Sequence, residues 1–202
     1  LMDLGLGSLN NSVVEMIDLS KGLQLKDSIK GQITDGHTHN RDKWIAGFKK
    51  TIQDIIPRLD DLYWYSPSWF EVQANSFQTR FDKAFDRWRT LYRNALSMKE
   101  RAQMVIDDPT VKYSSPEHRD ARSQWNVSQK QLALLKNEMG RQFGNESEFY
   151  VFRYLAAEGF LPGYNFTRLP VRAFVGWKHQ DDGEYISRAR FVALKEYGPQ
   201  NL

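Results

Sequence analysis

Between Gln73 and Asp108 the chain contains neither glycine nor proline. Over the same stretch Phe77, Phe81, Phe85, Trp88, Tyr92, Ala95, Met98, Ala102 and Val105 recur at spacings of 3 or 4. An α-helix brings residues three and four apart onto one face. This run therefore predicts one amphipathic helix of roughly 30 residues, about 45 Å long. Asp107-Asp108-Pro109 stops it. Ser115-Pro116-Glu117 reads as the N-cap and first turn of a second long helix. That helix would carry Trp125, Leu132, Leu135, Met139 and Phe143 on one side. Two such helices joined by a short polar loop predict an antiparallel hairpin.

The flanking segments are shorter. Ser8 can cap a helix with Leu9, Val13, Met16 and Ile17 as its apolar positions. Gly22 interrupts it, and a second short helix is expected over residues 23–33. The polar run Thr34-Asp35-Gly36-His37-Thr38-His39-Asn40 reads as a loop. Asn40 then caps a helix with Trp44, Phe48, Ile52, Ile55 and Ile56 on one face, closed near Pro57. Ser66-Pro67 suits an N-cap and first position opening another. After residue 146, Ser147 caps a helix through Phe149, Phe152, Leu155 and Ala156, with Gly159 just past its end. Residues 169–175 and 185–194 alternate like strands around a loop holding Gly176 and Asp181-Asp182-Gly183. The expected fold is mainly α: a long antiparallel helical hairpin with shorter helices and a C-terminal antiparallel β-hairpin. Residues 1–159 would form the helical domain and 160–202 a β element truncated at its end.

Composition excludes several classes. The 202 residues include no cysteine, so disulfides, thiolate-bound zinc and thiol nucleophiles are out. No run of about 18 apolar residues is present, which argues against a membrane span. No charged segment followed by an apolar one reads as a signal peptide, and the expected location is cytoplasmic. The chain opens Leu1-Met2-Asp3, which reads as a piece of a longer protein. A net charge of +3 is a weak pointer to nucleic acid.

Catalytic motifs are missing. There is no phosphate-binding glycine loop of the nucleotide-hydrolase type and no nucleophile elbow. His37-x-His39 is the only close histidine pair and lacks a third ligand, so it reads as part of a solvated loop. His118 and His179 lie among charged residues and are expected to be exposed. Asp60-Asp61 and Asp181-Asp182 are sequence neighbours, which point apart and do not converge on one bond. No catalytic residue and no metal ligand is assigned.

The basic residues carry more. Arg80, Lys83 and Arg87 can share a helix face, although Asp82 and Asp86 beside them also suit local ion pairs. Around the β-hairpin lie Arg168, Arg172, Arg188 and Arg190. Arg188 and Arg190 are two apart, as are residues on one face of a strand, and Arg168 and Arg172 share parity. Guanidinium groups gathered on one face suit phosphate, which they bind bidentately, or buried carboxylates elsewhere in a longer chain. Tyr164 is a stacking candidate. The aromatic run Tyr63, Trp64, Tyr65, Trp69 and Phe70 can either stack on bases or build core, and the density favours core.

Glu158-Gly159-Phe160-Leu161-Pro162-Gly163-Tyr164-Asn165-Phe166, followed by Arg168-Leu169-Pro170, resembles a signature of very large bacterial helicases. These are superfamily-two, DEAD/DEAH-type proteins with a C-terminal domain of unknown function, among them the DrmA-like helicase of the DISARM phage-defence system. Gly5-Leu6-Gly7-Ser8-Leu9, Trp64-Tyr65-Ser66-Pro67-Ser68-Trp69, the run from Phe81 to Arg93, and Ile186-Ser187-Arg188-Ala189-Arg190-Phe191 through Pro199 are similar in the same order. The resemblance implies a nucleic-acid translocase parent serving DNA defence or repair, with ATP and Mg used by its motor. This chain lacks those motifs and would be an accessory, non-motor region. Its expected partners are nucleic acid, DNA first, the other domains of the parent, and a partner subunit, with no membrane. Arg168, Arg172, Arg188, Arg190 and Tyr164 would touch nucleic acid. The alternative is a helical protein–protein scaffold without nucleic-acid contact. An exposed apolar stripe on the hairpin would favour the scaffold; a continuous positive groove would favour nucleic acid.

Overall fold

The long helix predicted from the uninterrupted apolar run is present and is divided once. The computed structural model describes residues 12–59, 61–138, 149–161, 170–176 and 183–196. In chain order these form α1 (Val13–Met16), β1 (Ile17–Asp18), β2 (Gln24–Leu25), α2 (Asp27–Thr51), α3 (Ile56–Leu59), α4 (Trp69–Lys83), α5 (Asp86–Ile106), α6 (Pro116–Leu135), α7 (Val151–Ala157), β3 (Pro170–Gly176), β4 (Gly183–Ala189) and α8 (Arg190–Glu196). The division lies at Ala84 and Phe85, where the Phe85 N–H turns to the Asp82 carbonyl three residues back. That tighter closure separates α4 from α5. Among the described residues, no helix is long and apolar enough to cross a membrane.

The described residues fall into two compact units, one of Glu15–Asp86 and one of Ser12–Val14 with Arg87 onward. In the first, β1 and β2 pair antiparallel through Ile17↔Leu25 and Asp18↔Gln24. Helix α2 follows, and it corrects the sequence reading. Residues 34–40 are not a loop; they are helical, in one 25-residue helix that begins at Asp27. Polar side chains in this stretch bond back to carbonyls one turn earlier: Thr38 Oγ1 to Thr34, the His39 ring to Asp35, and Asn40 Nδ2 to Gly36. Tertiary contact outweighs the weak propensity of Gly31 and Gly36. Ile33 and Ile45 are buried, and α4 lies antiparallel alongside. The His37 Nε2–H donates to the Ala74 carbonyl at 2.8 Å, Arg41 Nε donates to Asn75 at 2.8 Å, and Lys49 meets Glu71 at 2.9 Å. Ser66-Pro67 does not open α4, which begins at Trp69. Ser8 and its neighbours lie outside the described residues; of the expected first helix only the single turn of α1 is seen, and Ile17 is already strand.

In the second unit the expected hairpin forms. α5 ends at Ile106, just before Asp107-Asp108-Pro109. Ser115 caps α6, its Oγ accepting the His118 N–H at 3.1 Å, with Pro116 in the first turn. Trp88 of α5 donates its indole N–H to the Leu135 carbonyl, and Lys99 lies over the Trp125 ring. Early α5 thus meets late α6, the antiparallel arrangement. His118 is buried, not exposed, because Tyr113 covers it at 4.6 Å between ring centres. Met139, Phe143, Ser147 and His179 lie outside the described residues.

Both α6 and α7 end in the same way. After α6, Asn137 (φ 59) is left-handed; its N–H reaches Leu134 and the Glu138 N–H reaches Ala133. After α7, Gly159 (φ 72) repeats the pattern, with Gly159 to Ala156 and Phe160 to Leu155. These paired bonds satisfy the last helix carbonyls. The segment before α1 is strapped to α7: Ser12 bridges Tyr150, and the Val13 N–H donates to Phe149 at 2.8 Å. Val13, Val151 and Leu155 are completely buried there. β3 and β4 pair antiparallel from Pro170↔Ala189 to Gly176↔Gly183. The strand expected to run to residue 194 stops at Ala189, and α8 takes over.

Two glycines give opposite expected outcomes. Gly159→Ala, at φ +72 with open space around it, should cost about 1 kcal/mol through backbone strain alone. Gly31→Ala, inside α2 and equally unobstructed, should stabilise by about 0.5–1 kcal/mol. Denaturant midpoints of the two variants check both signs.

Candidate interaction surface

Helix α5 is positioned by Trp88. Its ring is fully buried and stacks on Tyr92 at 5.1 Å. Its indole N–H reaches α6, donating to the Leu135 carbonyl at 3.1 Å. Its backbone N–H belongs to the first turn of α5, where helix donors lack intrahelical acceptors. The Tyr154 hydroxyl oxygen of α7 accepts it at 2.9 Å. One residue therefore ties three helices together with two buried hydrogen bonds and a ring stack. Burial, and secondarily the Glu158 carboxylate, push the Tyr154 phenol from its ordinary 10.0 up to about 12.

Beside this buried seam α5 presents a second stripe. Arg87, Leu91, Asn94, Met98 and Arg101 follow one another at steps of 4, 3, 4 and 3, and all five are exposed. Leu91 keeps 40% and Met98 41% of its surface in solvent. Met98 was expected in the buried stripe with Tyr92 and Ala95; those two are buried, and Met98 faces outward instead. The steps match the heptad spacing of a helix that packs against another helix.

The stripe from Arg87 to Met98 forms one wall of a groove of about 380 Å³, and Arg101 lies one step beyond its lining. α5 contributes Arg87, Leu91, Asn94, Ala95 and Met98. α6 contributes Gln131, Leu134 and Leu135, and the α7 region contributes Phe149, Tyr154, Ala157 and Glu158. The lining is mostly apolar, with two amides on its walls. At one end Arg87 donates to Glu158 at 3.0 Å. This closes that end with a neutral pair whose arginine stays two-thirds exposed, at 67%. A concave apolar surface with a few polar groups at its edge suits another protein's apolar side chains.

The residues expected to touch nucleic acid lie only in part among the described residues. Tyr164 and Arg168 lie outside the described residues. Arg172 stands opposite Ser187, whereas Arg188 stands opposite Val171. Arg190 opens α8, so strand parity no longer relates it to Arg188. Arg188 itself is engaged: its Nε donates to Glu196 at 2.7 Å and another nitrogen to its neighbour's carbonyl. Arg80 and Lys83 lie in the last turn of α4. The aromatic run also differs from expectation. Phe70 is buried, but Trp64 is 47% exposed and Tyr63 fully so, at 100%. Among the described residues, no three histidine or acidic side chains converge as a metal site.

Sequence reasoning missed Leu91, Asn94 and Arg101 as a group, and Tyr154 and Glu158 altogether. The signal for the first group was present as a second 4-3-4-3 register beside the aromatic one. For Tyr154 and Glu158 no sequence signal existed, since both act across 66 or more residues of chain. No protein-family model, curated protein or solved structure matches this chain.

Tyr154→Phe keeps the ring and leaves the buried Trp88 N–H without its acceptor. It should cost about 1–3 kcal/mol. The raised phenol pKa means folding favours the neutral form. Its contribution is complete below pH 10.0 and is lost as pH rises through about 12. Urea unfolding at neutral and alkaline pH should show that loss in the parent and a smaller one in Tyr154→Phe.

Proposed function

We propose that this chain is a non-catalytic helical scaffold that docks another protein surface on the face of its α5–α6 hairpin. One observation carries the reading: the hairpin leaves an apolar stripe, centred on Leu91 and Met98, exposed along a groove. Isolated surface leucines are ordinary, but apolar residues in heptad steps along a concavity mark an interaction site. The resemblance of residues 158–170 to large superfamily-two helicases extends the proposal. On that reading the chain is an accessory region that braces an ATP-dependent motor, which itself uses ATP and Mg, in a cytoplasmic system of phage defence or DNA repair.

Direct contact with the DNA backbone is the second reading. It is weakened by the engagement of Arg188 with Glu196. It is favoured by the exposure of Tyr63 and Trp64, since base stacking needs uncovered rings.

Titrating the chain against short single- and double-stranded DNA across salt separates the two. A scaffold should show no binding that persists to physiological salt. Binding whose logarithm falls linearly with log salt, at about 0.9 per duplex phosphate, would overturn the scaffold reading. In that event Arg188→Ala with Arg190→Ala should flatten the slope, and Tyr63→Ala should weaken the single-strand complex.

A further inference from the structure

The scaffold reading leaves the chemistry of the partner open, and the stripe on α5 narrows it. Apolar Leu91 and Met98 occupy its centre, with Asn94 between them. Arginines stand at both ends, Arg87 and Arg101, fourteen residues and therefore about 21 Å apart along the helix. A polar asparagine among apolar seam positions is a register device in helix pairs. Arg101 at one end, and the donors that Arg87 keeps beyond its bond to Glu158 at the other, select the charge of what lies across.

A second copy of the chain fits this pattern poorly. Antiparallel self-pairing centred on Asn94 would set Arg87 against Arg101, and parallel pairing would set each arginine against itself. Like charges across a helix seam disfavour association. Phosphates of nucleic acid fit poorly too, because the two cations are separated by an apolar middle. The complement is a helix with an apolar centre and carboxylates near both ends.

We propose that the groove beside α5 binds an acidic amphipathic helix, which packs its apolar face on Leu91 and Met98 and sets carboxylates against Arg87 and Arg101. The inference rests on the scaffold reading and names the partner's chemistry for that same surface. Arg87 already gives one N–H to Glu158 at 3.0 Å, so its remaining donors serve the partner. Arg101 is the second anchor, exposed five residues before the end of α5. The Asn94 and Gln131 amides, on facing walls, can bond the polar edge of the incoming helix.

The test uses the full chain and two labelled synthetic peptides, read by fluorescence anisotropy. Both carry leucine in heptad steps over about four turns; one has glutamate on its flanks, the other lysine in the same places. The glutamate peptide should bind, and the lysine peptide should bind at least ~10-fold more weakly. Met98→Glu should weaken the glutamate peptide by ~10-fold or more. Arg101→Glu should weaken the glutamate peptide and strengthen the lysine one. Both substitutions are at exposed positions and should leave the denaturant midpoint nearly unchanged. Equal binding of the two peptides, lost in Met98→Glu, would overturn the acidic partner and leave the docking groove. Absence of any Met98-dependent binding would overturn this inference and the scaffold reading of the groove together.

Discussion

The hydrogen bond from the Trp88 backbone to the Tyr154 hydroxyl is the contact on which the hairpin unit depends. It joins the start of α5 to α7, and the same tryptophan joins α5 to the end of α6 through its indole N–H. Both bonds are buried, where an unmet donor costs far more than a met one gains. The alternative rotations of α5 would each abandon one of them. That constraint fixes which side of α5 is core and, by exclusion, which side remains outside.

What remains outside explains the candidate surface. With Trp88, Tyr92, Ala95 and Ala102 turned inward, Leu91 and Met98 lie at the border of the buried seam. Ala95 is buried at the foot of that border, which opens as a groove of about 380 Å³ shared with α6 and the α7 region. Filling it with the apolar face of another helix would continue the packing already present between α5 and α6. The arginines at the ends of the stripe add selectivity more than strength, since exposed charges are screened by salt.

The first unit is held differently. α2 and α4 lie together through polar contacts spread along their length, from His37 and Ala74 to Lys49 and Glu71. Lys49 also lies over the Phe70 ring, and its hydrogen bond holds the Glu71 carboxyl below the usual carboxylate range. Such a pairing is hard to read from sequence. It needs no clean apolar stripe, and it tolerates glycines that local propensity would assign to a loop. The exposure of Tyr63 and Trp64 is equally illegible in the sequence, because a dense aromatic run does not say which of its rings find a packing partner.

Elements whose signals are local were legible in the order of residues alone. The 3–4 periodicity of residues 77–105, the Ser115-Pro116 cap, the stop before Pro109 and the left-handed Gly159 each follow from backbone sterics or hydrogen-bond satisfaction within a few residues. Tertiary structure decided everything that required a distant partner. Residues 34–40 are helical because α4 lies alongside. Arg188 is engaged because α8 returns Glu196 to it, and His118 is buried because Tyr113 folds over it. Met98 is at the surface because Trp88 and Tyr154 set the rotation of α5. Periodicity says that a helix has an apolar face; only the partners on the other side decide how much of that face is covered, and here the uncovered remainder is the candidate site.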